Sequence, residues 1–171
     1  LITPYDIDIN IEVKEIGKTV LDNALIKAKT YYNLVKLPVI AADSSLYVEK
    51  FRSQPGIYVR RVNGKYLEDD EIEEYYIDQL NRIGGESLAY YVTGLALIKD
   101  NKIFLKEIKE DKFILTNKIC KAEKTHDQLS RIEFDIKLNK YFCEITKEDK
   151  EKIDYIFDEK CVEFIKDVLE I

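Results

Sequence analysis

The chain has 171 residues, a length that suits one domain built around a single core. Apolar residues make up 46% of the sequence and charged residues 35%, which excludes a chain that is mainly disordered. The 27 basic residues are outnumbered by 33 acidic ones, and the net charge of −6 argues against a nucleic-acid partner. A small anionic ligand stays compatible with this charge, because its binding depends on a few local cations.

The sequence carries no signal for a membrane or an export route. Its longest apolar stretches, such as residues 37–42, fall far short of the roughly 20 residues that cross a bilayer. The three cysteines, Cys120, Cys143 and Cys161, are odd in number and widely spaced, and the single histidine, His126, is interpreted as a surface residue. We therefore expect a cytoplasmic protein with no membrane association, no disulfide framework and no zinc site.

The first third of the chain predicts a strand, a helix and a second strand. Apolar and polar residues alternate over Tyr5–Val13, which is typical of a strand with one buried face. A capping-box pattern followed by one apolar face predicts a helix from Val20 to Val35. The apolar run Val39–Ala42 predicts a short buried strand that ends at Asp43. A strand, crossover helix and strand in this order imply a parallel pair.

The rest of the chain predicts a helix, several strands and a final helix. Pro55-Gly56 and Asn63-Gly64 indicate turns, and Leu67–Ile83 has the pattern of an amphipathic helix. A last helix is predicted from Thr146, with an apolar face that extends to Val168. The predicted strands are Tyr90–Ile98, Ile103–Ile108, Phe113–Cys120 and Ile132–Leu138. The fold class is therefore α/β, with a mixed twisted sheet flanked by helices.

Candidate chemistry is concentrated near the predicted first helix. Asp22 falls in its first turn, Asn23 and Lys27 lie four residues apart on one face, and Glu15 precedes the helix. Asp43, at the predicted end of the next strand, is placed to join them. Carboxylates around a lysine suit Mg²⁺ and a phosphate chain. The alternative, that these residues are only a helix cap, a solvated side chain and a turn former, stays open from the pattern alone.

Several segments, taken in order, carry a family resemblance. They are Glu15–Thr19, Asp22–Ala24, Lys27–Ala28, Ala42–Leu46, Pro55–Tyr58 and Arg61–Gly64. They resemble the patterns E-x-G-x-T-x-x-E-N-A-x-x-K-A, D-D-S-G-L and P-G-x-Y-S-x-R-Y-x-G of the inosine triphosphate pyrophosphatase family, which acts on noncanonical purine nucleoside triphosphates. The match runs without a gap over residues 15–64.

The resemblance implies a single pyrophosphatase-like domain over residues 1–171, with an elongated two-lobed fold. It also implies a homodimer and Mg²⁺-dependent hydrolysis of a nucleoside triphosphate to the monophosphate and pyrophosphate. By position in the motifs, Asp43 is the base that activates water, and Asp22, Asp43 and Glu15 are the metal ligands. The substrate-binding positions implied in the same way are Lys27, Ser44, Phe134, Asp135 and Lys150.

The sequence also departs from the family patterns. Ala42 replaces the first acidic residue of D-D-S-G-L, Ser45 replaces its glycine, and Tyr155 and Ile156 stand where the family has His and Arg. The family's opening strand and T-x-N-x-x-K loop have no match, and since the sequence starts at Leu1 we expect a segment upstream. Two interpretations follow: an active pyrophosphatase, which we favour, or an impaired member that serves as a nucleotide-binding or dimer-interaction module.

Overall fold

A computed structural model describes residues 2–62, 64–125 and 127–171. Its helices and strands are α1 (Val20–Val35), β1 (Val39–Val48), β2 (Gln54–Gly56), β3 (Arg61–Val62), β4 (Lys65–Tyr66), α2 (Asp69–Asn81), β5 (Glu86–Lys99), β6 (Lys102–Thr116), β7 (Glu133–Asp135), β8 (Lys140–Tyr141), α3 (Lys147–Lys150) and α4 (Ile156–Leu169). Short 3₁₀ turns occur at Pro4–Ile7, Glu49–Phe51 and Phe142–Glu144. None of the helices in the described ranges has the length and apolar content needed to cross a bilayer.

The main sheet has six strands in the order β2-β1-β5-β6-β7-β8, and every pairing in it is antiparallel. The long β5–β6 hairpin forms its centre, and the tight turn is made by Asp100 and Asn101, both with positive φ. This confirms the predicted α/β class and the central hairpin. The predicted parallel pair is wrong, because β1 pairs with the hairpin strand β5 and with β2 instead.

Helix α1 covers one face of the sheet at close range. Ala24 and Ala28 are fully buried there, and their small side chains let the helix approach the strands. At Gly94 of β5 an added Cβ would lie 2.7 Å from the carbonyl carbon of Val20, so only glycine fits under the first turn of α1. Gly94 is the register partner of Asp43 on β1. The start of α1 therefore lies directly over β5, next to Asp43 on the neighbouring strand.

The opposite face of the sheet carries helices α2 and α4. Helix α4 packs Phe164 and Val168 against Leu95 and Leu97 of β5. Helix α2 contributes to a separate core cluster at the other end of the strands, whose members include Leu46, Ile72, Tyr76, Leu80, Phe113 and Leu115. The hydrophobic core is thus divided along the length of the long strands, with α1 alone on the far side.

The N-terminal segment is not the strand that its alternation predicts. Residues 8–13 have no regular secondary structure, and Pro4–Ile7 forms a 3₁₀ turn. The Asp6 carboxylate accepts hydrogen bonds from the backbone and side chain of Thr3, so local contacts replace a strand ladder. Ile7 and Ile11 remain 41% and 37% exposed, so the apolar face has not been buried.

Strand β1 is longer than predicted. It continues through Asp43 to Val48 because β5 pairs with it along its whole length. Residues 39–42 are only partly buried or exposed rather than fully buried. Pro55 and Gly56 belong to β2 and pair with β1, so the predicted turn there is wrong. The predicted Asn63-Gly64 turn includes a residue outside the described ranges, and His126 lies outside them as well.

The C-terminal elements also differ in their limits from the prediction. Residues 113–116 continue β6 instead of starting a new strand, and the predicted strand over Ile132–Leu138 is reduced to β7. The predicted last helix is two helices. Thr146 caps only the four-residue helix α3, and α4 begins separately at Ile156.

Candidate active site

Four residues from three neighbouring segments form a polar cluster, the Lys27 cluster, which consists of Glu15, Asn23, Lys27 and Asp43. The Lys27 ammonium Nζ lies 2.6 Å from Asp43 Oδ1 and 2.9 Å from Glu15 Oε1, and it donates to the Ala42 carbonyl at 3.2 Å. The structure therefore brings together three of the predicted site residues around one nitrogen.

The sequence order explains this convergence. Asn23 and Lys27 lie four residues apart on α1, so both face the sheet one turn from each other. Asn23 donates through Nδ2 to Asp43 Oδ2 at 3.2 Å and accepts from the Gly17 amide at 2.8 Å. Because Asp43 and Asn23 are 9% and 3% exposed, this carboxylate is oriented by two buried or half-buried donors.

The electrostatics of the cluster favour a charged lysine. Burial on its own lowers the pKa of Lys27, but hydrogen bonds from its ammonium to Asp43 and Glu15 outweigh burial and raise the pKa above its ordinary value. A buried carboxylate without a cation would be costly, and the Lys27 ammonium lies 2.6 Å from Asp43 Oδ1 as its partner.

Asp22 occupies a different position. Its Oδ2 atom accepts hydrogen bonds from the backbone amides of Lys18 and Thr19, both at 3.1 Å, which satisfies free donors at the start of α1. Hydrogen bonds from the Thr19 side chain and the Lys18 amide lower the pKa of Asp22. The cap interpretation is correct for this residue, and its role as a metal ligand stays a prediction.

The donor set of the Lys27 cluster fits a magnesium ion in its chemistry. Mg²⁺ is commonly held by one or two carboxylates, with phosphate oxygens and water completing its shell. Glu15 and Asp43 present two carboxylates within 3 Å of one ammonium nitrogen. Within the described ranges no group of three or more His, Cys, Asp or Glu side chains is arranged as a metal site. Any Mg²⁺ here would therefore depend on the substrate for part of its ligands.

Ser44 points to the other face of the sheet, because successive residues of a strand alternate. Its Oγ lies 2.6 Å from Thr93 Oγ1, and Thr93 donates to Glu110 Oε1 at 2.5 Å. Glu110 lines a cavity of about 450 Å³, which we call the acidic cavity. A short hydrogen-bonded chain therefore links the residue after Asp43 to the wall of this cavity.

The acidic cavity contains two of the other predicted substrate-binding residues, Asp135 and Lys150. Asp135 Oδ1 accepts from the amides of Lys137 and Leu138, at 2.7 and 2.8 Å, and Oδ2 accepts from the Tyr155 hydroxyl at 2.6 Å. Burial, followed by the hydrogen bond to Asp135, raises the pKa of Tyr155 above its ordinary value. Tyr155 is therefore tied to Asp135 as a hydrogen-bond donor.

The remaining predicted substrate-binding residue, Phe134, is directed elsewhere. Its ring packs edge-to-face on Tyr141 with centroids 5.3 Å apart, and the described lining of the cavity does not include it. The structure therefore places the predicted residues in five settings: the Lys27 cluster, the cavity wall, the helix cap (Asp22), the contact of Ser44 with Thr93, and the packing contact of Phe134.

Sequence reasoning missed the pair formed by Tyr91 and Glu133. Glu133 is fully buried, and its Oε1 accepts from the Tyr91 hydroxyl at 2.5 Å. Burial and the nearby Asp127 carboxylate raise the pKa of Glu133 well above its ordinary value, so a neutral acid is favoured. The available signal was an acidic residue two positions before Asp135, which places both side chains on one face of β7.

Comparison with known proteins agrees with this fold. The model of the Ham1 family matches residues 2–156, so the chain belongs to the Ham1 family. This confirms the resemblance found in the motifs. A protein of Leptospira interrogans named dITP/XTP pyrophosphatase is 33% identical over 102 residues, which cover 59% of this chain and 51% of that protein. The chain thus matches only about half the length of this relative.

Other matches extend further along the chain. A dITP/XTP pyrophosphatase of Thermoanaerobacter pseudethanolicus is 31% identical over 154 residues, covering 90% of this chain and 76% of that protein. The Staphylococcus aureus Ham1 protein superposes with a TM-score of 0.71 at 22% identity, over 96% of this chain and 83% of that chain. The structural match supports the fold.

Proposed function

We propose that this chain is a Mg²⁺-dependent nucleoside triphosphate pyrophosphatase, which converts noncanonical purine nucleoside triphosphates to the monophosphate and pyrophosphate. The observation that supports it most is the buried Asp43 carboxylate, held between the Asn23 amide and the Lys27 ammonium. Membership of the Ham1 family and the names of the relatives support the same reaction.

In this proposal each member of the Lys27 cluster has a defined task. Asp43 accepts a proton from a water molecule, whose oxygen forms a bond to the α-phosphorus. The bond from that phosphorus to the α,β-bridging oxygen breaks, and pyrophosphate leaves. Asn23 keeps the Asp43 carboxylate in position, and Lys27 exchanges part of its carboxylate contacts for phosphate oxygens, where its charge offsets the negative charge of the leaving group.

The metal in this proposal would be held by Glu15 and Asp43, with Asp22 as a further candidate at the start of α1. Mg²⁺ bound there would neutralise part of the negative charge of the phosphate chain. Lys150 lines the acidic cavity, on the opposite face of the sheet from the Lys27 cluster, so its predicted contact with the phosphate chain forms no part of this mechanism. We also propose that the chain forms a homodimer and acts in the cytoplasm. Sedimentation of the purified chain measures its oligomeric state.

The decisive experiment measures pyrophosphate release from inosine, deoxyinosine and xanthosine triphosphates with Mg²⁺. We expect Asp43→Asn to lower kcat by about 10²- to 10⁴-fold, the range for loss of a general base. Asp78→Asn is the matched control, since Asp78 is an exposed carboxylate on α2 that pairs with Arg82. If the natural chain releases pyrophosphate no faster than Asp43→Asn does, the interpretation as an enzyme is excluded. Equilibrium binding of inosine triphosphate would then identify a binding module.

A further inference from the structure

A second cavity lies at the β2 edge of the main sheet, beside α2. Its volume of about 490 Å³ is within the range of small-molecule sites. Residues between positions 50 and 62 form one side of it, and Tyr75, Tyr76 and Gln79 of α2 form the other. We call it the basic pocket. In the described part of the chain, no member of the Lys27 cluster lines it, so it is a separate site.

The charge of the basic pocket differs from that of the whole chain. Lys50, Arg52 and Arg61 line it, and none of its described lining residues is Asp or Glu. The whole chain carries a net charge of −6, so positive charge is concentrated here against the overall balance. Charge of one sign along the walls of a cleft raises the local concentration of ligands of the opposite sign. The basic pocket therefore favours an anion.

The cations of the basic pocket are available to a ligand. The Lys50 ammonium and the Arg52 guanidinium make no hydrogen bond or ion pair with any described residue. The Arg61 guanidinium donates to the Glu15 carbonyl at 3.3 and 3.4 Å, which is long for a hydrogen bond. Arginine side chains bind phosphate through two parallel N–H donors, so two such groups in one pocket suit a phosphate.

Aromatic rings accompany these cations. Phe51, Tyr58 and Tyr75 line the basic pocket. Tyr58 is 51% exposed, and the Tyr75 ring packs edge-to-face on Tyr76 with centroids 5.3 Å apart, which fixes its position. Aromatic faces stack on nucleobases with little dependence on which base is present. The lining therefore offers contacts to a ring as well as to a phosphate.

The backbone next to the pocket is held in an unusual conformation. Arg52 and Ser53 have φ of +55° and +58°, in the left-handed region that is uncommon for residues other than glycine. Their amides donate to the Glu49 and Val48 carbonyls, both at 3.1 Å, which fixes this conformation. Backbone strain of this kind is concentrated at binding and catalytic sites. The proposed reaction gives this segment no task.

We propose that the basic pocket is a second binding site, which takes a small molecule that carries both an aromatic ring and a phosphate group, such as a nucleoside monophosphate. The phosphate pairs with Lys50, Arg52 and Arg61. The ring stacks against Tyr58 and Tyr75. This site goes beyond the proposed reaction, which takes place at the Lys27 cluster.

Three probes test the two halves of this ligand. Titration calorimetry measures the binding of adenosine monophosphate, adenosine and inorganic phosphate to the natural chain. We expect the monophosphate to bind at least tenfold more tightly than either of the others, because it alone makes both the charged and the stacking contacts. If the monophosphate does not bind, or binds no more tightly than phosphate or adenosine, the inference is wrong.

Two variants locate the binding in the basic pocket. Arg52→Gln removes a charged contact and Tyr58→Ala removes a stacking face, and each should weaken binding of adenosine monophosphate about tenfold. Arg82→Gln is the matched control for the first, since Arg82 is exposed at the end of α2 and pairs with Asp78. Tyr5→Ala, at a tyrosine that is 86% exposed, is the control for the second. If the controls weaken binding as much as the pocket variants do, the pocket is not the site.

A further measurement separates this site from the substrate site of the proposed function. Arg52→Gln should leave kcat/KM for inosine triphosphate unchanged, because Arg52 has no part in the proposed reaction. If it lowers kcat/KM and the affinity for adenosine monophosphate by the same factor, both ligands share one site and the inference fails. If the natural chain hydrolyses no triphosphate, the proposed function fails, whereas binding of the monophosphate that is lost in Arg52→Gln still supports the second site.

Discussion

The Lys27 cluster and the acidic cavity lie on opposite faces of the same sheet and are built in different ways. The cluster comes from residues 15–43, in which α1 is followed at once by β1. The cavity is assembled from β5, β6, the segments around β7, and the start of α4. In the cluster, two carboxylates share one ammonium group at ion-pair distance, whereas the cavity wall carries five carboxylates and two lysines from separate segments. Neighbouring segments therefore produce a compact ion-paired site, and distant segments produce a larger cavity lined by carboxylates.

The strongest test of this contrast is Gly94→Ala, which separates α1 from the sheet. The new Cβ would lie 2.7 Å from the Val20 carbonyl carbon and 2.8 Å from the Leu21 amide nitrogen. We expect a loss of about 3 kcal/mol in the free energy of unfolding, the upper range for overpacking. Activity should fall as well, because Asn23 and Lys27 move away from Asp43. Urea denaturation and the pyrophosphate assay measure the two effects.

Gly84→Ala is the control for that variant. Gly84 has φ of +97°, with open space around the added Cβ in the described part of the chain. We expect Gly84→Ala to lower the free energy of unfolding by about 1 kcal/mol through backbone strain and to keep its activity. If Gly84→Ala lowers activity as much as Gly94→Ala does, the contact between α1 and β5 does not position the cluster.

Asn23→Ala should produce the next largest effect. It removes the acceptor of the Gly17 amide and the donor to Asp43 Oδ2, both at a position that is 3% exposed. We expect a loss of about 2 kcal/mol in stability, as for unsatisfied buried groups, and a fall in kcat larger than the change in KM. Asn33→Ala, at an exposed position of the same helix, should change neither. An unchanged kcat in Asn23→Ala would show that Asp43 needs no orienting partner.

The same contrast explains what the sequence predicted. The helix Val20–Val35 has the predicted limits, because its apolar spacing and capping box act within one segment. The approach of Lys27 to Asp43 follows from that helix and the strand after it. The alternation over Tyr5–Val13 shows which residues can share a face, but it carries no information on whether a neighbouring strand exists. Burial of Glu133 depends on Tyr91, 42 residues earlier, and no local pattern specifies such a contact.

Glu133→Gln tests the protonation state of the buried acid that contacts Tyr91 of the cavity. Because the pKa of Glu133 is raised in the folded state, its contribution to stability is fully present below the ordinary value of 4.5. That contribution is lost as the pH rises toward the folded-state pKa. Gln has the shape of the protonated acid and does not titrate. The free energy of unfolding of the variant should therefore rise, relative to that of the natural chain, by about 1.4 kcal/mol per pH unit within this window.

Urea denaturation of both chains between pH 5 and 8 measures this difference. Glu86→Gln is the control, since Glu86 is exposed at the start of β5 and should give a curve parallel to that of the natural chain. Parallel curves for Glu133→Gln as well would mean that Glu133 is ionised in the folded protein, and that the interior beside Tyr91 tolerates a buried negative charge.

The smallest expected effect concerns the link between the two regions. Ser44 and Glu110 are joined through Thr93 by contacts of 2.6 and 2.5 Å, so Ser44→Ala and Glu110→Gln should not act independently. A double-mutant cycle on the free energy of unfolding should give a coupling of about 0.5–1 kcal/mol, as expected for members of one hydrogen-bond network. The pair Ser44→Ala and Glu86→Gln should be additive, because these residues share no contact in the described structure. Additivity in the first pair would mean that the contacts through Thr93 do not couple the strand that carries Asp43 to the wall of the cavity.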